Sequence, residues 1–151
     1  MKRDHSIITK AFLNKVFSAI NLVEASVSGI DRYDILKQYT PKQLEPFDAL
    51  SDRFSRSIEI CLKFFRSYEM ILFAENSATV RDLLNRMAKQ ELISSVKLWM
   101  EMREVRNRIV HNYLPEEIQE IFDLIIRFYS VELKKLKLKL ERIDLDEIFG
   151  S

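Results

Sequence analysis

Thr40-Pro41-Lys42-Gln43-Leu44-Glu45-Pro46 opens the stretch that decides the fold, and the chain then runs on to Phe73 without a further proline or any glycine. Thr40 reads as an N-cap. Pro41 sits at the first helical position, where its missing N–H is no loss and its fixed φ is already helical. Pro46 lies close enough to that start to be tolerated or to delay it. Beyond it, Leu50, Phe54, Ile58, Cys61, Phe65, Tyr68 and Leu72 recur at steps of three and four, the spacing of one helix face. The stretch is one long helix.

The same pattern extends outward in both directions. Two glycines and three prolines in 151 residues leave few breakers, which favours a few long helices over many strands joined by turns. Upstream, Ile8, Phe12, Val16, Ile20 and Val23 mark a helix from about Ser6 to Ser28, with Gly29 as its stop. Asp31 is a candidate cap for a short helix through Leu36. Downstream, Asn76-Ser77 breaks and recaps the chain before a helix from about Ala78 to Lys89, and Ser94-Ser95 starts the next. Pro115 opens a last long helix with Ile118, Phe122, Ile125, Tyr129, Leu133 and Leu136 along one stripe. Lys134 to Leu140 alternates as a strand would, yet the helical stripe enters it without a breaker, so it reads as helix. Its lysines read as a solvated face near the C-terminal end of the dipole; steering of RNA is the sharper alternative. The expected fold is all-α: an antiparallel up-and-down helical bundle of four to five helices, in one domain over residues 1–151. Residues 144–151 are acidic and apolar without a cap, either a frayed tail or a docking strip.

Composition narrows the function classes. Hydrophobic residues make up 47% and charged residues 31%, an ordinary soluble balance. A net charge of +1 supplies no global basic field, so any contact with RNA has to come from a local patch. Cys61 is the single cysteine and cannot form an intramolecular disulfide; within Ile58-Glu59-Ile60-Cys61-Leu62 it reads as a buried, inert thiol. No apolar run is expected to approach the roughly 18 residues of a membrane span, and no signal-peptide core is visible. The expected location is a reducing cytoplasm.

The chemistry gathers in Arg106-Asn107-Arg108-Ile109-Val110-His111-Asn112-Tyr113. On a helix from Val96 to about Asn112, Leu98, Met102, Val105 and Ile109 form the core stripe, with Arg106 at its border. Trp99, Met100, Arg103, Asn107, Val110 and His111 make a second face that mixes apolar and polar groups, the kind that meets another helix or a partner chain. Arg106 and His111 are about 140° apart on an ideal helix, so one helix does not bring them together. Two copies packed across a two-fold axis would make one cleft from both sets, which predicts a homodimer with a shared site. Asn107 lies one turn before His111 and is placed to orient the imidazole. An arginine can hold a phosphate bidentately and a histidine titrating near neutrality can move protons, so these residue types suit cleavage of RNA without a metal or other cofactor. Plainer readings stay open from spacing alone. A histidine near a helix end also caps or lies in solvent, Arg103, Arg106 and Arg108 can pair with Glu101 and Glu104, and Tyr113 can pack with a wet tip. Asp52, Arg53 and Glu59 read more simply as a solvated helix face than as part of the site.

This segment resembles the R-x-x-x-x-H-x-Y signature of HEPN-domain toxins of the HepT type, including the polar Asn107 after the arginine and the position near a helix end. Leu98-Trp99-Met100-Glu101-Met102 and Asp52-Arg53-Phe54 resemble the related substrate-binding-like partners of small nucleotidyltransferases. The resemblance covers roughly residues 50 to 135. It implies a four- or five-helix bundle that dimerises with the motif at the interface, and a metal-independent ribonuclease with Arg106 and His111 at the catalytic positions. It also implies a minimal nucleotidyltransferase antitoxin as partner, which in some pairs transfers AMP to the motif tyrosine, here Tyr113. A bulky anionic group there would block the cleft and repel RNA phosphates. The runner-up is a non-catalytic subunit that binds a nucleotide or the partner enzyme; a purely structural adaptor leaves the three polar positions unexplained.

Overall fold

In the computed structural model, residues 2–111 and 117–148 are described, and among them there is helix and loop but no strand. The elements are α1 (Lys2–Ser28), α2 (Pro41–Phe73), α3 (Val80–Lys89), α4 (Val96–Val110), α5 (Ile118–Leu124), α6 (Ser130–Leu140) and α7 (Leu145–Ile148). A π-helical turn, Ile125–Tyr129, joins α5 to α6 without a break. The all-α bundle expected from the sequence is what the chain adopts.

Helix α2 begins where Thr40 and Pro41 predict. The Thr40 hydroxyl accepts from the Gln43 N–H, and the Gln43 side chain accepts from the Thr40 N–H, a reciprocal cap that satisfies two otherwise orphaned donors. Pro46 is carried inside the helix, and Ala74 closes it in the left-handed region at φ 56°, donating to the Met70 carbonyl. Helix α1 lies antiparallel on it. Thr9 meets Ser67 through their hydroxyls near one end, and Arg53 Nη1 reaches Ser26 Oγ at 2.8 Å near the other. Helix α4 is likewise antiparallel to α2, with Trp99 edge-on to Phe65. The last long helix runs alongside α2 in the same direction: Phe122 packs on Phe47 and Tyr129 stacks on Phe54. Buried residues from all of these helices join one hydrophobic cluster.

The π turn has a physical reason in the sequence. Two successive steps of four, Ile125 to Tyr129 to Leu133, drift about 80° round an ideal α-helix and would carry Leu133 off the core. One wider turn takes up that drift, and Ile125, Tyr129 and Leu133 are all buried. The turn also leaves Arg127 and Phe128 outside, with Phe128 56% exposed.

Several expectations are corrected. Residues Asp31 to Leu36 form no helix, because Asp34 spends its carboxylate on the Leu36 N–H at 2.9 Å within a turn, and Tyr33 folds back to stack on Tyr39. Helix α3 is capped by Thr79, two residues after the expected Asn76-Ser77. Ser77 instead gives its N–H, at 2.8 Å, and its hydroxyl to the fully buried Glu69, whose charge is met by Arg86 at 3.2 Å and Arg66 at 3.7 Å. The stretch Lys134 to Leu140 is helical as expected, but its lysines are not one solvated face: Lys137 bonds Asn21 and Glu24 of α1. The start assigned to Pro115 lies outside the described residues. Near the C-terminus, α7 buries Leu145 and pairs Asp146 with Lys10.

The membrane expectation also needs qualifying. By length and composition, Asp4–Ser28 is apolar enough to cross a membrane, with a mean hydropathy of 1.2. Only 22% of that window is buried in the bundle, with Val16, Ile20 and Val23 fully covered and Ile7, Ile8 and Leu22 exposed, while Lys10 and Glu24 form ion pairs with Asp146 and Lys137.

Candidate functional site

Helix α4 positions the predicted site, and it is rotated from the expected register. Trp99, assigned to the outer mixed face, is 1% exposed and forms one edge of a buried arc that runs through Met102 to Val105, whereas Leu98 and Ile109 are only partly buried. The cause is a single polar anchor. Glu132, itself almost fully buried, accepts from the Trp99 indole Nε1 at 2.7 Å and from the Ser94 N–H and hydroxyl, so the indole can turn inward with its donor satisfied. Ser95 then caps α4 by accepting from the Leu98 N–H.

This rotation changes the setting of Arg106. It lies seven residues after Trp99, hence within about 20° of it round the helix, and so belongs to the arc that faces α2. Its side chain is 25% exposed and its guanidinium is engaged within the chain. Nη2 pairs with the Glu59 carboxylate of α2, and Nη1 donates to Asn107 Oδ1 at 2.9 Å. Nε is buried with no hydrogen-bond partner among the described residues.

Asn107 therefore serves the arginine and not, as the spacing suggested, the histidine. His111 terminates α4: its backbone N–H donates to the Asn107 carbonyl at 3.0 Å, and the residue is exposed. No described side chain bonds its ring, and no described contact joins it to Arg106. Arg108 reaches Glu117 at 4.0 Å, so neither Arg106 nor Arg108 takes Glu101 or Glu104 as partner. Tyr113 lies outside the described residues.

Glu59, read from the sequence as part of a solvated helix face, instead pairs with Arg106. Its own helix gave no signal, since it sits on the half-exposed side of the α2 stripe; the antiparallel pairing of α2 with α4 puts it against Arg106. On a different side of α4 from Arg106, a groove of about 420 Å³ runs between α4 and the π turn, lined by Leu98, Glu101, Leu124, Phe128, Val131 and Lys135. Tyr129 also lines it; burial pushes its phenol above the ordinary value, with Glu101 adding to the effect.

The arrangement offers a mostly covered guanidinium at the α2–α4 seam and, at the end of the same helix, an exposed imidazole with no partner among the described residues. One can hold an oxyanion and the other can exchange protons with bulk water. Among protein families, a model described as nucleotidyltransferase substrate binding protein like matches residues 13–142. Among curated proteins, none matches the chain.

Proposed function

We propose that this chain, which belongs to the nucleotidyltransferase substrate-binding-like family, is the toxin of a toxin–antitoxin pair: a metal-independent endoribonuclease with a composite active site at a homodimer interface. The observation that carries the reading is the placement of Arg106 and His111 on one helix, the first gripped at a helix seam and the second exposed at the helix end with its ring bonded to no described side chain. Arg106 holds the scissile phosphate and offsets the charge that grows on it. One His111 takes the proton of the 2′-hydroxyl as the oxygen attacks phosphorus. The His111 of the second copy, protonated, gives its proton to the departing 5′-oxygen. The products are a 2′,3′-cyclic phosphate and a 5′-hydroxyl, and the two histidines exchange protonation states. A second copy is favoured by exposed apolar side chains in two places: Val110, beside His111 in the chain, and Phe128 with Val131 on the wall of the groove, each about half exposed. Acidic and basic groups, Glu101 with Arg127 and Lys135, line the same groove, as a face that has to complement itself requires.

The nucleotidyltransferase partner is the proposed antitoxin, acting in the cytoplasm by transferring AMP to Tyr113, two residues beyond His111. An adenylate there adds bulk and negative charge where the RNA backbone has to approach.

The alternative is a non-catalytic subunit that binds a nucleotide or the partner enzyme. It is favoured by one observation: both terminal nitrogens of Arg106 are already occupied within the chain. Purified, unmodified protein incubated with RNA separates the two. Cleavage that is abolished by His111→Ala and by Arg106→Ala, in proteins that remain folded, supports the nuclease. Intact RNA with all three proteins, and no growth arrest on expression of any of them, leaves the binding subunit.

A further inference from the structure

We infer that Glu59 is an internal stand-in for phosphate: its carboxylate occupies Arg106 in the free protein and has to swing aside before an RNA phosphate is gripped there. This rests on the reading of Arg106 as the phosphate-binding group and gives that site a built-in threshold. A guanidinium grips an oxyanion through two parallel N–H bonds, either from both terminal nitrogens or from Nε together with one of them. Here Nη2 faces Glu59 and Nη1 faces Asn107, so the end-on fork is closed while both stay in place.

The geometry differs from that of a purely structural pair. A carboxylate placed only to neutralise this arginine would take Nε and Nη2 side by side. Glu59 takes Nη2 alone, and Nε is left buried without a partner among the described residues. An unsatisfied buried donor is costly, so the guanidinium retains unused capacity that a two-pronged oxyanion would fill. The two halves of the pair are also unequal in freedom. The Arg106 side chain is three-quarters covered, whereas that of Glu59 is 50% exposed and can rotate into water at little cost. The carboxylate is the part that leaves. A phosphate at Arg106 with Glu59 still beside it would meet a like charge at contact distance, so departure of Glu59 and arrival of the ligand are coupled.

Glu59 is thus a positioning residue that touches the arginine and not the substrate. The test is a binding cycle with a short 2′-O-methyl oligoribonucleotide, which presents phosphates but lacks the attacking hydroxyl. Wild type, Glu59→Gln, Arg106→Ala and the double variant are compared at one low ionic strength, with thermal unfolding to establish that each is folded. Arg106→Lys serves in place of Arg106→Ala if the latter fails to fold. Glu59→Gln is expected to tighten binding about three- to tenfold, the effect of losing a partly exposed ion pair and a nearby like charge. The double variant is expected to bind as weakly as Arg106→Ala. Equal affinity of Glu59→Gln and wild type overturns the inference. So does a double variant that still binds more tightly than Arg106→Ala, which would mark a general charge effect, and so does absence of binding in all four. The nuclease reading is judged separately on RNA with free 2′-hydroxyls. A completed binding cycle with no cleavage leaves this inference standing and removes the nuclease, and cleavage that depends on Arg106 with an unchanged Glu59→Gln affinity does the reverse.

Discussion

The indole Nε1 of Trp99 donates to the buried carboxylate of Glu132 at 2.7 Å, tying α4 to α6 across the bundle. Because Glu132 also receives both donors of Ser94, it fixes the start of α4 and the rotation that carries Arg106 to the α2 side. Glu132→Ala leaves three donors without an acceptor and is expected to cost roughly 3 kcal/mol in urea unfolding, with Glu132→Gln costing about half as much. The single tryptophan reports the same event, since loss of the anchor should shift its emission to longer wavelength. A loss below about 0.5 kcal/mol, the size of an ordinary surface change, would mean that the bond does not hold the helix.

Function and stability should separate cleanly at His111. Its ring is exposed and bonded to no described side chain, so His111→Ala is expected to change unfolding free energy by less than about 0.5 kcal/mol. RNA cleavage should nevertheless fall by about 10² to 10⁴, the span of a lost general acid or base. A variant that keeps full cleavage removes His111 from the mechanism.

Charge placed on exposed apolar side chains of α4 and the π turn tests the shared cleft. Phe128→Asp combined with Val110→Asp is expected to leave the protomer folded, since both side chains are more than half exposed, and to convert a dimer to a monomer by light scattering. Cleavage should vanish with the dimer, and a mixed dimer of one wild-type and one His111→Ala subunit should be impaired as well, because the mechanism uses the imidazole of both copies. Undiminished cleavage by the monomer would show that one chain carries a complete site.

Alkaline stability follows from buried thiol and phenol groups. Burial raises Cys61 far above its ordinary value of 9.0, and raises Tyr68 and Tyr129 above theirs of 10.0. Above those ordinary values the unfolded chain loses protons that the folded chain keeps, so stability is full below about pH 9 and falls as pH rises. The slope from Cys61 is about 1.4 kcal/mol per pH unit, and Tyr68 and Tyr129 add to it past pH 10. In Cys61→Ala the decline should begin one unit later, read from the pH dependence of the urea midpoint because the substitution also leaves a cavity.

Local signals made most of the fold legible. Thr40, Pro41 and Ser95 act as the caps that their chemistry suggests, and Val16, Phe54, Ile58 and Leu133 are buried as their spacing implies. Local reasoning failed where one polar group had several possible partners, near or far. Asp34 satisfied a turn in place of a helix between Asp31 and Leu36, Ser77 went to Glu69, and Trp99 turned inward because Glu132, far along the chain, was there to receive its N–H.

The site divides along the same line. By itself the sequence determined that Arg106 and His111 share one helix and point apart, because that follows from the fixed rotation per residue. Only the tertiary structure decided what each of them faces. Docking of α4 against α2 is set by side chains far apart in sequence, and it brought Glu59 to the guanidinium, gave Asn107 to Arg106 and left His111 in solvent. Periodicity reports which face of a helix is covered; the residue that does the covering depends on how the helices pair.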